Sequence, residues 1–230
     1  MRFYGLCGGA MALSLALGSQ VVDAAAADQP TATNMIFEHK HLSNVEQGNE
    51  IDYRFNRTVS NAQLLGEPFS DDITLKIVGA KPTGEKDVDM QIYTGERARD
   101  LQKIPNVTIN PVFIVYFKLV VASLGNLTGA KSGYLQNTFS MGLKDKAKIE
   151  PVKVDYKGKT IDAYRITMAP YADDRDASKL QGYEGAKFTM IVSEQVPGEI
   201  VQMDSIYEST IKAAPRLEER ITLNGAEPVK

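Results

Sequence analysis

Asn110-Pro111-Val112-Phe113-Ile114-Val115-Tyr116-Phe117-Lys118-Leu119-Val120-Val121-Ala122-Ser123-Leu124-Gly125 decides how this chain is built. Lys118 is its only charge. Asn110 suits a helix cap, Pro111 the first helical position and Gly125 a stop. The run therefore predicts a helix over 111–124. Its many β-branched residues keep a buried strand in competition, but the length and the start and stop signals favour the helix. An apolar surface on all sides implies burial on nearly every side. Just downstream, Ser132 is placed to cap a second helix from Gly133 to about Lys144. Tyr134, Leu135, Thr138, Met141 and Gly142 would share one of its faces.

Outward from this apolar centre the period changes from helical to twofold. Ile51, Tyr53, Phe55 and Val59 alternate with Asp52, Arg54, Asn56, Thr58 and Ser60, the pattern of a half-buried strand, with Arg57 interrupting its apolar side. Ile73–Ile77 and Val88–Ile92 alternate in the same way around the turn-rich segment 79–84. After the helices come Val152–Tyr156, a turn at Lys157-Gly158, Thr160–Met168, Lys187–Ser193, Ile200–Ile211 and a short Ile221–Leu223. Residues 34–42 are a weaker candidate. The total is about nine strands in hairpin order, which argues for antiparallel pairing. Strands, then helices, then strands indicate an α+β fold: a curved antiparallel sheet, an open or half barrel, wrapped around one or two central helices.

Residues 1–27 read as a cleavable signal peptide. Arg2 precedes an apolar stretch from Phe3 to about Leu17, and small residues follow up to Ala24-Ala25-Ala26-Ala27. That stretch is shorter than the roughly 20 residues of a membrane-spanning helix. Cys7 lies inside it, too early for a lipid attachment site. The expected organisation is a flexible lead-in at 28–34, one β-rich domain at 35–224 with a helical insert at about 110–144, and a tail at 225–230. Without Cys7 no cysteine remains, so the domain must stand on its core, which suits a bacterial periplasmic or secreted protein. A net charge of −3 and no long basic cluster set nucleic acid aside. No membrane span is expected after signal cleavage.

The chemistry-bearing residues are few. His39 and His41 are the only histidines, and two apart on a strand they would share a face. A zinc site needs at least three protein ligands, and no third is evident beside them, so no metal and no cofactor is expected. Asp71 and Asp72 read as loop acids. Asp173, Asp174 and Asp176 form only a fragment of a calcium loop. No Gly-x-Ser-x-Gly, phosphate loop or dinucleotide fingerprint occurs. An unrecognised hydrolase using His39 or His41 with loop carboxylates is the enzyme alternative.

The signal, the cysteine-free antiparallel half-barrel, the insert from Asn110-Pro111-Val112 to Leu127-Thr128-Gly129, and Tyr134 together resemble the periplasmic lipoprotein-carrier superfamily and uncharacterised exported bacterial proteins. That resemblance implies a concave apolar face that shields acyl chains from water, and a non-enzymatic role. The expected partner is a lipid, an acyl chain or a lipoprotein, or else an envelope protein for which the chain is an interaction component. Tyr53 and Phe55 on the sheet, with Phe113, Phe117 and Tyr134 on the helices, are the candidate ligand contacts in a groove between the two.

Overall fold

The computed structural model describes Met1, residues 30–174 and residues 176–229. Apart from Met1, the expected signal peptide lies outside the described residues. Nine strands form one antiparallel sheet: β1 (Glu50–Val59), β2 (Phe69–Ala80), β3 (Lys86–Ile92), β4 (Gln102–Val107), β5 (Lys148–Tyr156), β6 (Lys159–Met168), β7 (Lys187–Val192), β8 (Ile200–Tyr207) and β9 (Leu217–Leu223). Their order across the sheet is β4-β3-β2-β1-β9-β8-β7-β6-β5. It consists of two meanders that meet only where β1 pairs with β9, with Val59 opposite Leu217 and Tyr53 opposite Leu223.

Besides a short α1 (Ala62–Leu65), two long helices, α2 (Val112–Thr128) and α3 (Ser132–Asp145), connect β4 to β5. These strands are opposite edges of the sheet, so the helical pair has to cross one whole face. The alternation on the strands is the cause. Ile51, Tyr53 and Phe55 of β1, and Ile73, Leu75 and Ile77 of β2, are all at most 2% exposed, while Arg54 points away and is exposed. An apolar face of that size must be covered. A ladder of rings ties cover to sheet: Phe117 to Phe139 at 5.3 Å, Phe139 to Phe188 at 5.2 Å, and Phe188 to Tyr207 at 5.9 Å between centroids.

The helix expected at 111–124 forms and runs further, to Thr128, where left-handed Gly129 closes it. Gly125 does not stop it. Burial is less than all-round, because Ile114, Lys118, Ala122 and Asn126 make a narrow exposed stripe at every fourth residue. On α3, Leu135, Thr138 and Gly142 are buried as expected and Tyr134 is half-buried, but Met141 is exposed. Gly142 permits a very close approach: a Cβ there would lie 2.2 Å from Pro170 Cβ.

Several elements correct the sequence reading. Residues 34–42 are no strand: Asn34–Glu38 is a single π-helical turn, with Ala32 and Ile36 buried at helical spacing. β4 was hidden by Pro105 and by its polar residues, which an edge strand tolerates. Asp71 and Asp72 belong to β2 and not to a loop. Asp71 Oδ1 accepts from the backbone N–H of Thr94 at 2.9 Å and from its hydroxyl at 2.8 Å, which holds the β3 exit in place. β8 ends at Tyr207, short of Ile211, and β9 starts at Leu217, well before Ile221. The polar run Glu218-Glu219-Arg220 concealed that start. Glu219 is buried against α2, accepting from Ser123 Oγ at 2.8 Å and pairing with Arg57 Nε at 3.3 Å. The ends of the domain are also packed. Ala32 is buried, and Val229 exchanges two hydrogen bonds with the Gln202 side chain at 2.8 Å.

Candidate functional site

The site begins at a buried amide. Asn110 precedes α2 and is fully buried. Its Nδ2 donates to Tyr53 Oη and to the carbonyl of Gly198, each at 2.8 Å, and its Oδ1 accepts from the Val112 N–H at 3.1 Å. Its own N–H donates to His41 Nδ1 at 3.3 Å. One side chain and its backbone thus tie together β1, the start of α2, the β7–β8 loop and the N-terminal segment. Gly198 is required there: its φ is +71°, and a Cβ would sit 2.7 Å from Asn110 Nδ2 and 2.9 Å from Ile51 Cδ1. Burial pushes the Tyr53 hydroxyl pKa upward, keeping it neutral within this hub.

The hub fixes the N-terminal turn against the sheet at the β5–β7 end, and a cavity of about 680 Å³ opens between them. Pro30 and Met35 form its N-terminal wall; Pro151, Ala163, Tyr164 and Val192 form its sheet wall. Its polar lining includes Glu38, His39, Asp162, Ser193, Glu194 and Glu199. His39 bridges the two sides. Its Nδ1 lies 2.6 Å from Glu199 Oε2, and its Nε2 lies 3.7 Å from Glu194 Oε1. Glu199 is 5% exposed and sits at φ +62°, left-handed backbone that a non-glycine residue adopts at a cost of about 1–3 kcal/mol. Burial pushes its carboxyl pKa up, and the bond to His39 opposes that rise.

His39, His41 and Glu199 bring ligating atoms within 4.8 Å of one another, so the third residue that the sequence did not reveal is Glu199. His41, however, is already committed. Its Nε2 donates to the Met35 carbonyl at 2.7 Å and its Nδ1 accepts from Asn110. Burial lowers its pKa, which favours the neutral ring, and the two bonds fix its tautomer. Two ligands then remain, fewer than the three that a zinc site needs. The hydrolase alternative fares no better in geometry. Ser193 shares the cavity, but its hydroxyl donates to the Asp162 carbonyl at 2.5 Å and accepts from the Gln195 N–H at 3.2 Å. The group facing His39 Nε2 is the carboxylate of Glu194, which cannot serve as the alcohol of a triad.

The aromatic candidates lie elsewhere. Tyr53 is in the hub. Phe55 packs against Phe69 at 5.4 Å and Tyr93 at 5.2 Å. Phe113 packs on the His41 ring at 4.9 Å, and Phe117 lies within the ring ladder. Tyr134 faces Tyr171 at 6.4 Å, with its hydroxyl 3.3 Å from Asp174. None of them lines the cavity, which borders the N-terminal turn and not α2. Among the described residues, no helix is long and apolar enough to cross a membrane.

No protein-family model matches the sequence, and no curated protein matches it. Among solved structures, the chain is similar to the lipoprotein LppX of Mycobacterium tuberculosis, with 11% identity and a TM-score of 0.29 over 79% of this chain and 88% of that one. It is also similar to a LolA superfamily protein of Nitrosomonas europaea, with 8% identity and a TM-score of 0.21 over 87% of this chain and 94% of that one. Both likenesses are weak ones of fold.

Proposed function

We propose that this is a non-enzymatic binding protein of the bacterial cell envelope that holds a hydrophobic ligand between its sheet and its N-terminal turn. The observation that carries this reading is the cavity itself. At about 680 Å³ it falls within the range of roughly 300–1,000 Å³ typical of small-molecule sites. Met35, Pro151, Tyr164 and Val192 give it an apolar wall, and its polar groups gather around His39. The packing of α2 supports the same reading from the other side. Phe113, Tyr116, Val120 and Leu124 fill the sheet's centre, and the cavity lies beside them at the β5–β7 end. Tyr164 is 40% exposed at the cavity, so it can change without disturbing the core. Titration with the neutral fluorophore N-phenyl-1-naphthylamine should give a saturable, one-to-one rise in emission. Tyr164→Asp should weaken that binding about tenfold while leaving the unfolding midpoint nearly unchanged. Non-saturable emission from the wild-type protein, or equal affinity in the variant, defeats the reading.

A further inference from the structure

We infer that the ligand is an amphiphile with a cationic head, a primary ammonium, held at the cavity by Glu38, Glu194 and Glu199. This rests on the binding role proposed above and names the class of ligand.

The argument starts from charge. The cavity lining contains Glu38, Asp162, Glu194 and Glu199, and neither lysine nor arginine. Asp162 is ion-paired with Lys153 at an exposed position. Glu38, Glu194 and Glu199 remain, with His39 the only lining side chain able to carry positive charge. The protein as a whole carries a formal charge of only −3, so this concentration of carboxylates is local. A fatty-acid carboxylate or a phosphate head would meet like charge on several sides, which disfavours binding.

Hydrogen-bond supply points the same way. Glu199 is nearly excluded from water, yet its bond to His39 uses Oε2 alone, and Oε1 accepts nothing from the described residues. That oxygen stays open to the cavity, where a ligand N–H can reach it. Carboxylates only accept, so a head with several N–H donors matches them better than a hydroxyl or a quaternary ammonium. The apolar wall requires the rest of the ligand to be alkyl or aromatic.

Competition against bound N-phenyl-1-naphthylamine at pH 7, using the exported chain, tests this. Dodecylamine should displace the probe at a concentration about tenfold lower than laurate, with dodecanol between them. In a Glu38→Gln/Glu194→Gln double variant, at two exposed positions, that preference should shrink to about twofold or less, while dodecanol competes as before. Laurate matching or exceeding dodecylamine, or a preference unchanged in the double variant, overturns the cationic head while leaving the cavity's binding role intact. Failure of the probe and of every amphiphile to bind overturns both.

Discussion

Asn110 shows how much one residue can organise. It serves β1, α2, the β7–β8 loop and the N-terminal segment at once. Asn110→Ala would strand the Val112 N–H in a buried site, deprive Tyr53 of its donor and leave the Gly198 carbonyl with the Ile200 N–H alone. The expected loss is about 3 kcal/mol of stability, read from urea unfolding. His41, its neighbour, should couple stability to pH. The folded protein holds it neutral, with its pKa below the unfolded value of 6.5. The unfolded chain therefore gains a proton first as pH falls, and this contribution, full above pH 6.5, is lost on acidification through the folded value. Buried Glu199, Asp204 and Glu219 have pKa values raised by burial and act in the opposite sense, losing their contribution as pH rises. Comparing wild type with His41→Gln isolates the histidine: the stability gap should narrow from pH 7 toward about pH 5, and a gap independent of pH would refute the neutral assignment. At this scale the sequence marked Asn110 only as a cap and both histidines only as a pair. What distinguishes them is contact with residues far along the chain. His39 meets Glu199 across 160 positions, and no local spacing announces that.

At the scale of elements, legibility followed burial. Strands with one wet and one dry side, such as β1 and β6, carry the twofold pattern and were readable. β4 was not, because an edge strand next to solvent has no need of apolar alternation, and its Pro105 reads as a breaker. The start of β9 is illegible for the opposite reason: Glu219 is buried, but Arg57 and Ser123 satisfy its carboxylate, so a charged residue stands where the twofold pattern calls for an apolar one. The helices were legible in position and only slightly short in length. Their packing yields a sharp expectation at Gly142, where α3 touches Pro170. Gly142→Val should cost about 2–3 kcal/mol, and thermal melting should show it, because the added methyls have no volume to enter.

For the whole molecule, the class of fold followed from the order of periods along the chain, whereas the cavity did not. A cavity is a mismatch between surfaces contributed by distant segments, here residues 30–39, 151–164 and 192–199. Of the aromatic candidates, Tyr53, Phe55 and Phe113 are buried in the core, and Phe117 and Tyr134 are half-buried against it. The strand order itself carries a further meaning. Because β1 is completed only by β9, a chain delivered from its N-terminus holds its first long strand with one bare edge until Leu223 has emerged. Such a half-made ribbon can neither settle early nor tolerate a missing C-terminal piece, and until then it offers an open edge to any neighbouring strand. Truncation ahead of Leu217 should therefore yield aggregates and not a smaller folded unit. The sheet is thus expected to close only once its last seven-residue strand has arrived.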